Sequence, residues 1–148
     1  MDHSTQNAQT WRVRIAVKQQ PDGAPPGDPA CTVLIVDDQA PFRSAARSVV
    51  GLIAGWRVIG EVGSGEDAID TASATRPDVV LMDINLPGIS GIEATRRIVA
   101  ADPGIAVVLL STYAADDLPE DARSCGAIGY IGKADLTPLR LRTLLGQG

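Results

Sequence analysis

Five short apolar runs alternate along this chain with stretches in which apolar residues recur every three or four positions. The runs are Thr32–Val36, Arg57–Val62, Asp78–Met82, Ile105–Leu110 and Ala127–Ile131. The first, third and fourth are almost continuously apolar and rich in Val and Ile. That composition suits strands buried on both faces, as in a parallel sheet. Between the runs, helical spacing predicts helices over Ala40–Ile53, Ser64–Thr75, Gly91–Ala101, Ala115–Cys125 and Leu136–Leu145. The first would turn Phe42, Ala45, Ala46, Val49, Val50 and Ile53 to one side and end at Gly55. Pro77 blocks continuation of the second. Asp102-Pro103-Gly104 closes the third, and Thr137-Pro138 stands near the start of the last.

Strand and helix thus alternate five times, and each connection is long enough for a right-handed crossover. The fold class predicted is α/β: a single doubly wound, five-stranded parallel sheet with helices on both faces. In such sheets polar chemistry gathers outside the carboxyl ends of the strands.

Residues 1–30 follow another pattern. Gln19 to Pro29 holds Pro21, Pro25, Pro26 and Pro29 with Gly23 and Gly27, and reads as an extended linker. Ahead of it Trp11, Val13, Ile15 and Val17 alternate with Arg12, Arg14, Ala16 and Lys18. Period two suits a short strand or docking segment, and equally a tail with chance alternation. The expected division is therefore a tail and linker over 1–30 and one folded domain over 31–148. The only histidine, His3, lies in the tail and has no expected role.

Composition narrows the function classes. Hydrophobic residues make up 45 % of the chain but aromatics only 3 %, so the core must be aliphatic. The net charge of −5 arises wholly within 31–148, where 15 acidic residues face 10 basic ones. That balance argues against general nucleic-acid binding. Cys31 and Cys125 lack metal-ligand spacing and read as free thiols. No apolar run reaches the roughly 18 residues a membrane helix needs, and the N-terminus carries no secretory pattern. The expected setting is cytoplasmic, with no membrane partner.

The strand ends carry the chemistry. The first run ends in Asp37-Asp38, the third in Asp83 and the fourth in Ser111-Thr112, and Gly132-Lys133 follows the fifth. Three carboxylates converging on one rim repel one another and raise each other's pKa unless a cation joins them. A hard divalent ion such as Mg2+, or Mn2+ in its place, meets that need. One carboxylate can then act as nucleophile toward a phosphoryl group, with a lysine and a hydroxyl to stabilise the transferred oxygens.

The stretches Val33–Asp38, Val79–Gly88 with Ser90, Gly91 and Glu93, Val108–Thr112 and Gly126–Lys133 together resemble the response-regulator receiver domain of two-component signalling. The resemblance spans Ala30 to Leu145. It implies a flavodoxin-like sheet of strand order 2-1-3-4-5. It implies Asp83 as phosphoacceptor, Asp38 as a direct Mg2+ ligand, Asp37 as a ligand largely through water, and the Asn85 backbone carbonyl as a further ligand. Lys133 would pair with the acceptor and then with the phosphoryl oxygens. Ser111 would be the hydroxyl that moves on activation, with Thr112 the less favoured neighbour. Tyr130 would be the aromatic that changes rotamer, and Pro87 and Gly88 would shape the loop after the acceptor. Tyr113 would shield the phosphoryl group, unless it is an ordinary exposed tyrosine. Gly132 departs from the family's bulkier residue, and Ala134-Asp135 follow the lysine, so a cis peptide at Lys133 is not expected.

Implied partners are a sensor histidine kinase or phosphotransfer protein and an output target docking on the face of the fourth helix, fifth strand and fifth helix. A homodimer is compatible with this. Only three residues follow Leu145, too few for a DNA-binding helix-turn-helix, so no direct nucleic-acid contact by this chain is expected. The resemblance implies either a stand-alone receiver or the receiver piece of a longer, possibly DNA-binding, regulator. The domain would catalyse its own phosphorylation and slow dephosphorylation without turning over an external substrate. Two alternatives are a phosphorylation-independent interaction module and an aspartyl-nucleophile phosphatase or mutase. The costly acidic cluster argues against the first. Asn85, where such enzymes commonly carry a second acid, argues against the other.

Overall fold

The computed structural model describes residues 31–112 and 118–146. Five strands form one parallel sheet: β1 (Cys31–Val36), β2 (Trp56–Val62), β3 (Val79–Asp83), β4 (Ala106–Ser111) and β5 (Gly129–Gly132). Their order is β2-β1-β3-β4-β5, as expected. The helices are α1 (Ala40–Gly51), α2 (Gly65–Thr75), α3 (Gly91–Ala101) and α4 (Pro138–Leu144), with 3-10 turns at Glu120–Arg123 and Lys133–Asp135.

The period-two geometry of a strand sends alternate side chains into two cores. Val33, Ile35, Leu81, Val108, Leu110 and Ile131 meet Ala46, Val50 and Ile53 from the α1 side and Leu141 and Leu145 from the α4 side. On the opposite face Leu34, Val36, Val80, Met82, Val107 and Leu109 meet Ala68 and Ala72 of α2 and Ile92, Ala94 and Ile98 of α3. Each fully buried Leu, Ile or Val contributes about 1.5–3 kcal/mol through removal from water. Ala45, expected on the buried face of α1, is exposed.

Local chemistry sets the helix starts. The hydroxyls of Ser64, Ser90 and Thr137 accept the amides of Asp67, Glu93 and Arg140, capping α2, α3 and α4. Ser64 and Thr137 are thus caps, and the helices begin just after them. Arg76 closes α2 in the left-handed region at φ 48°, since Pro77 disfavours a helical residue before it.

Several boundaries differ from expectation, among them the start of α4, at Pro138 rather than Leu136. Helix α1 ends at Gly51, because the amides of Leu52 and Ile53 fold back onto the carbonyls of Val49 and Val50. Gly55, at φ 82°, shapes the turn into β2 instead. Over Ala115–Cys125 the described part holds only the 3-10 turn at Glu120–Arg123. Pro119 has no amide to donate and keeps Leu118 out of helical geometry. β5 begins two residues later than expected, at Gly129. The 1–30 tail, Tyr113 and the start of the Ala115 segment, on which expectations were stated, lie outside the described residues.

Candidate functional site

β1 and β3 are neighbours at the middle of the sheet, and the chain leaves them in opposite directions, toward β2 and toward β4. This reversal opens a crevice at the carboxyl ends of the two strands. The register Val36↔Met82 brings the next residues, Asp37 and Asp83, side by side. One carboxylate oxygen from each of Asp37, Asp38 and Asp83 lies within 4.8 Å of the others. Asp37 is fully buried, Asp83 nearly so, and Asp38 is exposed.

Both buried aspartates are tied to their own backbone. The Gln39 amide donates to Asp37 Oδ1 at 2.8 Å, and the Asn85 amide donates to Asp83 Oδ1 at 3.1 Å. Their second oxygens face Lys133, the residue after β5, whose Nζ is 2.6 Å from Asp37 Oδ2 and 3.3 Å from Asp83 Oδ2. Burial pushes the Asp83 carboxyl above its ordinary range. The Asn85 amide opposes this, the charge of Asp37 adds to it, and Lys133 counters it. For Lys133, burial alone would favour the neutral amine. The hydrogen bonds and charges of Asp37 and Asp83 outweigh burial and raise the pKa, so the side chain is an ammonium.

Glycine is required at two places around this crevice. A Cβ on Gly91 would collide with the Asp83 carbonyl oxygen, so the start of α3 approaches the acceptor strand only without a side chain. Gly88 has φ 74°, and a Cβ there would press on the Glu66 carboxylate, which accepts the Ile89 amide. Pro87 and Gly88 thus belong to the loop after Asp83, as expected.

Asp38, Gln39, Asp83, Asn85, Thr112 and Lys133 line an open cleft of about 270 Å³. A larger cleft of about 400 Å³ lies between α2 and α3 at the other end of the strands, lined in part by Ile69, Arg76, Arg97 and Pro103. It lies away from the carboxylate cluster.

The structure thus brings together Asp37, Asp38, Asp83, Asn85 and Lys133. Ser111 ends β4, fully buried and opposite Gly132 in the β4–β5 register. Thr112 is exposed and lines the cleft. Tyr130 on β5 is half-buried, its phenol raised above the usual value by burial and by the charge of Asp135. No cis peptide occurs among the described residues.

Three residues beside the site escaped the sequence reading. Gln39 lines the cleft and caps α1 by position. The Arg43 guanidinium donates to the Asp37 carbonyl and lies near Glu61. The Phe42 ring lies under the Lys133 ammonium, 4.5 Å from Nζ to ring centre. The available signal was proximity in sequence: all three follow Asp38 within one helical turn or so.

A central parallel sheet with a cluster of three carboxylates and one lysine at its switch point defines the class, an α/β protein of the doubly wound type. The comparisons sharpen this class. The family described as "Response regulator receiver domain" matches residues 33–144, and the chain belongs to that family. It is 40 % identical over 101 residues to the response regulator UvrY of Escherichia coli, covering 68 % of this chain and 46 % of the relative. Identity to the response regulator GacA of Pseudomonas aeruginosa is also 40 % over 101 residues, covering 68 % and 47 %. The chain therefore spans about half the length of these curated relatives. Among solved structures, a LuxR-family two-component response regulator from Aurantimonas aligns with TM-score 0.71 and 29 % identity over 78 % of this chain and 85 % of that one. The receiver domain of the response regulator NarL from Mycobacterium tuberculosis aligns with TM-score 0.70 over 80 % and 98 %; at 24 % identity it bears on the fold alone. Among the described residues no helix is long and apolar enough to cross a membrane.

Proposed function

We propose that this chain is a phosphorylation-dependent signalling switch in which Asp83 accepts a phosphoryl group. The observation that carries the reading is the pairing of two buried carboxylates, Asp37 and Asp83, with one shared ammonium, Lys133, beside an exposed third acid. Such a cluster is electrostatically costly, and a divalent cation with oxygen ligands fits its donor set. Asp37, Asp38, Asp83 and the Asn85 carbonyl would hold Mg2+, with Mn2+ as a substitute. When bound, the ion supplies positive charge against the carboxylates and the incoming phosphoryl oxygens.

The chain's own residues do the rest. An Asp83 carboxylate oxygen attacks phosphorus, forming an O–P bond as the P–N bond of a donor phosphohistidine breaks. The Asn85 amide keeps the carboxylate oriented. Lys133 turns from Asp37 toward the new oxygens, and the Ser111 or Thr112 hydroxyl donates to them. Water later attacks phosphorus and restores Asp83. The donor would be a sensor histidine kinase or phosphotransfer protein. The output surface would centre on β5 and α4, where Leu139 is 63 % exposed. Residues 31–148 would form the switch domain in the cytoplasm, with 1–30 as a tail.

Incubation with Mg2+ and acetyl phosphate, followed by intact mass measurement, tests this. The wild-type chain should gain one phosphoryl group and Asp83→Asn none. A wild-type protein that binds Mg2+ yet gains no mass would replace this reading with that of a phosphorylation-independent interaction module.

A further inference from the structure

Among the described residues, the Lys133 ammonium meets two carboxylates and one aromatic ring. Its Nζ lies 2.6 Å from Asp37 Oδ2 and 3.3 Å from Asp83 Oδ2. The third side is the ring of Phe42, 4.5 Å away at the centroid. That distance is well inside the roughly 6 Å over which an aromatic face attracts an ammonium. The ring is half-buried and packs on the core formed by β1, β3 and α1. Phe42 therefore has a fixed seat, and its face replaces water that would otherwise solvate the ammonium.

The chemistry of the two kinds of partner differs. A carboxylate binds a particular N–H in a particular direction. An aromatic face attracts the charge as a whole and places little demand on its rotation. A lysine that must leave one oxygen for another is best held by the second kind of contact. One short segment supplies several of the groups around the ammonium and the acids. Asp37 and Asp38 end β1, Gln39 ties Asp37 down, and Phe42 and Arg43 follow in the first turn of α1.

We infer that Phe42 is a positioning residue for Lys133, its ring forming a seat on which the ammonium turns from Asp37 toward the phosphoryl oxygens. The inference rests on the reading of Asp83 as phosphoacceptor.

Phe42 is the only phenylalanine in the chain. Expression in a phenylalanine auxotroph therefore places mono-, di- or trifluorinated phenylalanine at this one position with little change of volume. Each fluorine withdraws charge from the ring face. The rate of phosphoryl uptake from acetyl phosphate at saturating Mg2+ should fall stepwise, by about threefold to tenfold across the series. Phe42→Tyr should keep the rate, and Phe42→Leu should lose as much as the trifluorinated ring. A rate indifferent to fluorination would overturn the inference, since a ring that only fills the core has no reason to respond to its charge distribution.

A second measurement does not need the reaction. In the unsubstituted protein the ε-methylene protons of Lys133 should be displaced upfield by the ring current, and Phe42→Leu should return them to ordinary values. Undisplaced protons in the unsubstituted protein would also overturn the inference. If the unsubstituted protein takes up no phosphoryl group at all, the phosphoacceptor reading fails, and the ring-current displacement alone decides the contact.

Discussion

Lys133 stands closer to Asp37 than to Asp83, at 2.6 Å against 3.3 Å, and Asp37 has no exposed surface from which water could replace the lysine. The lysine thus stabilises the fold as well as the site. Lys133→Met should leave Asp37 and Asp83 as buried like charges and cost about 3 kcal/mol. Urea denaturation without Mg2+ should show the lower midpoint with an unchanged slope. Added Mg2+ should recover part of the loss, because an ion among the carboxylates supplies the missing positive charge.

Asp83→Asn should act in the opposite direction. Burial raises the Asp83 pKa above its ordinary 3.8, so the folded protein holds this proton more tightly than the unfolded chain does. The group's favourable contribution is fully present below the unfolded pKa and is lost as pH rises through the folded one. At neutral pH in the absence of Mg2+ the ionised Asp83 is a net cost. Asp83→Asn should therefore melt a few degrees higher than wild type near neutrality, and the difference should shrink as pH is lowered through the raised pKa. Equal melting temperatures at neutral pH would contradict the cost assigned to this carboxylate.

Mg2+ binding should compete with the same proton. Affinity should decline on acidification at higher pH than an ordinary aspartate would dictate, and binding should release protons. Calorimetry in buffers of different ionisation enthalpy measures that release directly.

Gly91 and Gly51 make a matched pair. An added methyl at Gly91 meets the Asp83 carbonyl, whereas at Gly51 it meets nothing within 4 Å. Gly91→Ala should cost about 1–3 kcal/mol through overpacking and should weaken Mg2+ binding by displacing Asp83. Gly51→Ala, at the end of α1, should stabilise by about 0.5 kcal/mol and leave binding unchanged. Thermal melts and a Mg2+ titration of both variants separate the two cases.

Asp83 was legible because an apolar run stopped abruptly at a carboxylate, and Asp37 and Asp38 for the same reason. Hydrophobic periodicity likewise located α3 to the residue, since Ser90 and Asp102 bracket it with local signals. Lys133 was different: its place after the fifth run put it on the same rim, but its pairing with an acid 50 positions away came from the family resemblance. Phe42 was hidden by its own periodicity, because a place on the buried stripe of α1 already accounts for an aromatic. Asp78 read as the start of a strand, yet its carboxylate accepts the Thr32 amide and hydroxyl and joins β3 to β1 at the far end of the sheet. In the described part of the Ala115–Cys125 segment, from 118 onward, Pro119 leaves a short 3-10 turn where a helix was expected.

The β1–β3 register carries a consequence for timing in the cell. Asp37, Asp83 and Lys133 come from three distant parts of the chain and meet only once β1, β3 and β5 stand in one sheet. A nascent chain that has not yet released β5 holds its aspartates but not the ammonium between them. On the proposed reading of Asp83, such a chain should take up no phosphoryl group until β5 has joined the sheet.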